Sequence, residues 1–351
     1  MTKTTTRRGF LTATSGLAAG AAFGLPQITL ASSASAAADI TASTLDLVDP
    51  QYREFAQSMA GFVPDSNSLP FLRQALENGP RQGTQNPTLE RFEMSGSTAG
   101  FNLYRPETPR AAPAPAIIYI HGGGYVFGTA EQYDGYCYDL AQTSGAVVLN
   151  VEYRLAPETP FPGPVEDCHD VLTYAYQNAA SLGIDPTRIS IMGHSAGGGL
   201  CAALAILARD RGEVPVKAQF PIYPMLDYRT ATTEAPVNNL TTGEFIWVRA
   251  ANRFGWDSLR GDYAMDDNRT GHFSPTHAAS HEGLPPCFMA VGNLDLFLEE
   301  DTAYALTLTR ARVPCEFHIY SGAVHAFDGF PGTNLTTQFA RDLAAAFDRL
   351  L

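Results

Sequence analysis

Between residue 89 and the C-terminus, short unbroken apolar runs alternate with longer stretches of helical apolar spacing. The runs at 116–120, 146–151, 188–192, 216–222, 286–292 and 316–320 predict strands. The first of these, Ala116, Ile117, Ile118, Tyr119 and Ile120, has no polar alternate, as expected of a strand buried on both faces. Two earlier runs, 89–94 and 101–104, open the series. Helices are predicted over 165–182 and from Gly198 onwards, with a third beginning at Glu299, Glu300 and Asp301, where acids complement the positive helix start. Strands alternating with helices imply a mostly parallel central sheet with helices on both faces, the α/β class. Two regions stand outside this rhythm. Residues 39–87 are helical and irregular, with an apolar stripe of Tyr52, Phe55, Met59 and Phe62, then Phe71, Leu72 and Leu76, read as packing. Residues 228–270 are polar and irregular and carry Phe245, Trp247, Phe254 and Trp256. Those aromatics fit two roles equally well, lining a ligand pocket or forming a small core of their own.

The N-terminus changes the picture of where the chain works. Arg7 and Arg8 precede a weakly apolar run over 11–25, and Ala34, Ser35, Ala36, Ala37 and Ala38 supply small-residue cleavage positions. This order predicts a twin-arginine (Tat) signal over 1–38, and so delivery of the rest to the periplasm or secretion beyond it. The run is too short and polar to span a bilayer stably, and no stable membrane insertion is expected. The full chain carries a net charge of −13; without Lys3, Arg7 and Arg8 it falls to −16, with 20 basic against 36 acidic residues. Such a balance argues against nucleic acid and anionic membranes as partners. Cys137, Cys168, Cys201, Cys287 and Cys315 form no metal-binding spacing, and neither metal nor organic cofactor is expected. Buried thiols are the expectation, Cys201 on a core helix; Cys287 and Cys315 each open a predicted strand and could be neighbours.

Candidate chemistry gathers at predicted strand ends. Gly193, His194, Ser195, Ala196 and Gly197 lie between the strand at 188–192 and the helix that follows. A strand–G-x-S-x-G–helix arrangement is a nucleophile elbow: the sharp turn strains the serine, the glycines make room, and the helix N-terminus faces a developing anion. After the strand at 116–120 come His121, Gly122, Gly123, Gly124 and Tyr125. Glycines here let backbone N–H groups point into a cleft, so Gly122, Gly123 and Ala196 are the expected oxyanion donors. His121 is read as ordering that loop. No Lys-Ser/Thr follows the glycines, which argues against a phosphate loop. Asp295 lies just past the strand at 286–292, and His325 on the loop after the strand at 316–320. His318 sits inside that strand and is read as structural. Ser195, Asp295 and His325 follow the α/β-hydrolase order of nucleophile, acid and base.

Together His121-Gly122-Gly123-Gly124, residues 153–158 (Tyr-Arg-Leu-Ala-Pro-Glu), Phe161-Pro162, Val165-Glu166-Asp167-Cys168 and the elbow resemble the hormone-sensitive-lipase-like family of bacterial α/β-hydrolase carboxylesterases. The resemblance runs from about residue 89 to the end. It implies an α/β-hydrolase catalytic domain over 88–351, with residues 39–87 and an insertion near 228–270 packing together as a helical cap over the site. It also implies that the glycine loop is the oxyanion hole and Ser195 the nucleophile. Leu296 and Phe297 stand where the family usually has proline and leucine, which bears on pocket shape. The expected function is hydrolysis of short-chain acyl esters, without a cofactor. Its alternatives are an amidase or arylformamidase using the same three residues, and a non-catalytic ligand-binding homologue, against which retention of all three argues. The expected partners are a small-molecule acyl ester and the Tat export machinery, with a homodimer left open.

Overall fold

A computed structural model of the chain describes residues 43–59, 63–78, 90–94, 97 and 99–351; the signal predicted over 1–38, Phe62 of the N-terminal stripe and Leu89 of the first strand lie outside them. Among the described residues the strands are β1 (Glu90–Glu93), β2 (Gly100–Tyr104), β3 (Ala114–Ile120), β4 (Val147–Glu152), β5 (Ile184–His194), β6 (Gln219–Ile222), β7 (Cys287–Gly292) and β8 (Cys315–Tyr320). They form one sheet in the order β1-β2-β4-β3-β5-β6-β7-β8. From β4 to β8 all pairs are parallel; β2 runs antiparallel to β4, and β1 to β2. The mostly parallel sheet expected from the alternating pattern is what the chain adopts, in the α/β-hydrolase arrangement that the resemblance implied.

The helices are α1 (Arg53–Ser58), α2 (Leu69–Glu77), α3 (Asp134–Ser144), α4 (Gly163–Gln177), α5 (Ala179–Leu182), α6 (Ala196–Arg211), α7 (Arg249–Arg260), α8 (Thr270–Phe273), α9 (Leu298–Arg310) and α10 (Asn334–Leu350). All seven residues of β3 are buried, which explains why no polar alternation marks that strand. Two apolar cores flank the sheet. One joins Ile118, Ile120, Leu149 and Ile191 to α4 and α6; the other joins Ile117, Tyr119, Val148 and Phe220 to α3 and α10. The split follows from the pleat, which sends neighbouring β3 side chains to opposite faces.

Three local expectations are corrected. The helix predicted over 165–182 breaks at Asn178, whose side-chain amide donates to the Tyr174 carbonyl at 2.9 Å and so closes α4 before α5 begins. The strand predicted over 216–222 starts only at Gln219. In the N-terminal stripe Leu72 and Leu76 are buried but Phe71 is 72% exposed, because helical spacing does not say which of two adjacent apolar residues faces inward. Cys287 and Cys315 are register partners on β7 and β8, and all five cysteines are free thiols.

The strand order sets the functional end of the sheet. The chain steps from β3 to β4 on one side, then returns across β3 to β5 and proceeds the other way. The carboxyl ends of β3 and β5 therefore flank a topological switch point, where open α/β sheets form a crevice.

Candidate active site

The glycine loop leaves β3 and the elbow leaves β5 at this switch point. Ser195 takes φ +57 and ψ −122, a conformation an L-residue adopts only under constraint. The constraint comes from both sides: its N–H donates to the Ile222 carbonyl at 2.9 Å, and its carbonyl accepts from Gly199 and Met225. The glycines are demanded by close approach. A Cβ on Gly193 would stand 2.2 Å from the Gly197 carbonyl oxygen, and one on Gly197 2.2 Å from that of Ile120. The helix that follows thus packs directly on the strand ends, with its first amide, that of Ala196, beside the serine.

Asp295 and His325 arrive from the ends of β7 and β8. Asn293 couples their loops, its side-chain oxygen accepting from the Gly322 N–H at 2.7 Å, while Gly322 in turn accepts from Asp49. Asp295 Oδ2 lies 2.7 Å from His325 Nδ1, and His325 Nε2 lies 2.9 Å from Ser195 Oγ. An ionised carboxylate only accepts, so Nδ1 carries the imidazole proton. That leaves Nε2 of the neutral ring free to accept from the serine hydroxyl. All three side chains are buried. The second carboxylate oxygen accepts from the Phe297 N–H at 3.0 Å, which fixes the rotation of Asp295. Phe297 also sets its ring edge-on against His325, centroids 5.3 Å apart. Neither Phe297 nor Leu296, where the chain departs from the resembled pattern, lines the cleft: Phe297 stands against the imidazole, and Leu296 is buried in the core.

The cleft in front of Ser195, counted out to its open mouth, spans about 830 Å³. Gly122, Gly123 and Gly124 line it, as do Met59, Ile246 and Trp247. The Gly122 N–H donates to the Tyr133 hydroxyl, whose pKa burial raises. His121 is buried, bonded through Nδ1 to the Gly122 carbonyl at 2.9 Å and stacked on Tyr153. Burial lowers its pKa to about 4, so it is uncharged at neutral pH. His318 lies outside the cleft, 2.8 Å from Glu316 on the same strand. Glu299, the neighbouring acid nearest in sequence, accepts from Asn239 at 2.9 Å instead.

The aromatics of 228–270 divide between the two roles open to them. Trp247 lines the cleft, close enough that a Cβ on Gly124 would meet its ring at 2.2 Å. Trp256 packs against Tyr125 and Phe273 in the main core. The acids opening α9 also depart from a simple dipole role. Glu300 and Asp301 are fully buried, and burial pushes both carboxyls well above the usual range. Glu300 accepts from the backbone of Leu226 and Asp227 and from the Thr230 hydroxyl, which ties the segment after β6 to α9.

One group of cleft residues escaped the sequence reading. His194 Nδ1 lies 3.0 Å from the Tyr119 hydroxyl and Nε2 3.1 Å from Asp328 Oδ2. The Tyr223 hydroxyl donates to Asp328 Oδ1 at 2.5 Å. His194 stood in plain view inside the elbow motif, and Asp328 three residues beyond His325; nothing in the spacing joined them.

Comparison with known proteins places this geometry among relatives. A family model for the α/β-hydrolase fold matches residues 117–329. The chain is 30% identical over 300 residues to an esterase, LipI, of Mycobacterium tuberculosis, covering 84% of this chain and 92% of that one. It is 33% identical over 295 residues to an arylesterase of Saccharolobus solfataricus, covering 84% and 90%. Among solved structures, a bacterial heroin esterase superposes with a TM-score of 0.76 at 32% identity, covering 88% of this chain and 99% of the other.

Proposed function

Since the chain belongs to the α/β-hydrolase family, in its hormone-sensitive-lipase-like branch of carboxylesterases, and is a serine ester hydrolase, we propose that it cleaves short-chain acyl esters with Ser195 as nucleophile, His325 as base and Asp295 as the residue that orients it. The observation that carries this reading is the continuous hydrogen-bonded line from Asp295 through His325 to Ser195, at 2.7 and 2.9 Å. Ser195 Oγ attacks the ester carbonyl as His325 Nε2 takes its proton. Asp295 stabilises the imidazolium. The tetrahedral oxyanion is held by the amides of Gly122, Gly123 and Ala196, the first shared with Tyr133; one such donor is worth about 3–4 kcal/mol. Collapse expels the alcohol, which takes the proton from His325. Water, deprotonated by the same imidazole, then frees the acid from the acyl-enzyme.

The apolar wall of Met59, Ile246 and Trp247 supports a small acyl group beside Ser195. That wall draws on both regions read as a cap. They are joined by hydrogen bonds from Ser43 and Thr44 to Glu244. We therefore assign the described part of residues 39–87, together with 228–270, to one cap over the site.

A hydrolysis panel on the protein without residues 1–38 tests substrate class: aryl acetate, butyrate and octanoate, each beside its matched anilide. The acetate and butyrate are expected to turn over fastest. Faster cleavage of the anilides would make the protein an amidase, and a maximum at octanoate would refute the short-chain assignment.

Export follows from Arg7 and Arg8, since a receptor reads the pair itself and not its charge. Changing both to Lys is expected to hold the full chain in the cytoplasm, with the 1–38 segment uncleaved on an immunoblot of cell fractions. Efficient export of that double variant would assign the segment to another route.

A further inference from the structure

Resting on the esterase reading, we infer that the cleft selects esters carrying an ammonium group, with Asp328 as counter-ion and the surrounding aromatic side chains as a cage. Asp328 is the only carboxylate lining the cleft among the described residues, and no Lys or Arg lines it there. Tyr119, Tyr133, Tyr136, Tyr223, Phe127 and Trp247 supply its aromatic walls. A carboxylate set among aromatic rings suits a cation: the rings offer the negative face of their quadrupole, and a desolvated cation gains more there than in water. A neutral hydroxyl gains nothing from the rings.

The carboxylate is built in, not incidental. Two side chains fix it in place: the Tyr223 hydroxyl donates to Oδ1 at 2.5 Å, and His194 Nε2 lies 3.1 Å from Oδ2. A neutral imidazole fits the bonds of His194: Tyr119 donates to Nδ1, and Nε2–H is shared between Asp328 and the Tyr136 hydroxyl, 3.3 Å away. In that state this wall of the cleft carries one net negative charge. The carboxylate accepts from Tyr223, His194 and its own backbone N–H, which leaves one of its four lone-pair sites open. The net charge of −13 adds a long-range field that draws cations and repels anions.

The position also fits an ester. His194 immediately precedes Ser195. Tyr223 bonds Asp328 and sets its ring edge-on to His325, centroids 4.9 Å apart. A carbonyl at Ser195 and a cation at Asp328 are thus separated by a short spacer. This assigns the Asp328 end of the cleft to the alcohol half of the ester and leaves Met59 and Ile246 to the acyl half, with Trp247 bordering both.

The test compares 2-(trimethylammonio)ethyl acetate with its neutral carbon isostere, 3,3-dimethylbutyl acetate, at pH 8. The wild type is expected to favour the cation about tenfold in kcat/KM. Asp328→Asn is expected to bring the ratio close to one, whatever happens to the absolute rates. Tyr136→Leu, which removes one ring and its hydroxyl bond to His194 but no charge, is expected to lower it about threefold. Calorimetric binding of benzyltrimethylammonium to Ser195→Ala, alone and combined with Asp328→Asn, reads the same subsite without catalysis; about tenfold weaker binding is expected in the combined variant. Binding through Asp328 with neither ester hydrolysed by the wild type would uphold the subsite and strike the esterase reading alone. A wild-type ratio at or below one, or binding unmoved by Asp328→Asn, overturns the inference. If Asp328→Asn fails to fold, the wild-type ratio and Tyr136→Leu decide it.

Discussion

Ser195→Ala is expected to lower kcat/KM for a short-chain aryl ester on the order of 10⁶-fold while leaving the fold intact. The size of the loss follows from the reaction path. Without Oγ no acyl-enzyme forms, and the oxyanion donors and His325 can assist only a direct attack by water. The fold should tolerate the change because the hydroxyl's recorded partner is His325 Nε2, at 2.9 Å, and not the core. Alanine keeps the Cβ that already stands at φ +57, so the elbow acquires no new strain. The melting temperature should therefore move little, and a serine-directed phosphonate should label the wild type once and this variant not at all. Near-wild-type turnover in the variant would remove Ser195 from the mechanism.

Much of this candidate site is legible in the sequence alone, and the reason is physical. A parallel sheet puts its chemistry at strand carboxyl ends, and apolar runs mark where strands end. Ser195, Asp295 and His325 each follow such a run directly. The glycines around the elbow and loop announce close backbone approach, and at Gly193 and Gly197 the approach is what the structure contains. Pairings across distant segments were not legible in the same way. Asp328 and His194 meet because β5 and the loop after β8 end at the same edge of the sheet, and no periodicity encodes that. Glu300 is similar: on sequence it is one more acid at a helix start, yet it lies buried, holding the backbone after β6. The break at Asn178 was available as a helix-stop signal and was outweighed by apolar spacing that continues into α5.

Replacing Asp295 by asparagine should cost about 10⁴-fold in kcat with much smaller loss of binding, and the local hydrogen bonds say why. Oδ1 accepts from the Phe297 N–H, and Oδ2 faces His325 Nδ1. An asparagine in this place must keep its oxygen toward Phe297, since an NH₂ group there would oppose another donor. Its NH₂ is then aimed at Nδ1 and demands that Nδ1 accept. The imidazole proton moves to Nε2, and the nitrogen facing Ser195 can no longer take a proton. The pH profile separates this from simple structural damage. Wild-type activity should rise with pH along a single limb, because the deprotonated imidazole is the active form. His121 cannot be the source of such a limb near neutrality, since burial holds its pKa at about 4. His325→Ala should abolish the limb together with nearly all activity. His318→Ala should leave it in place, because that ring bonds Glu316 outside the cleft. An inactive His318→Ala would move the base to the strand itself. An active Asp295→Asn beside an inactive Glu299→Gln would move the acid one helical turn along α9.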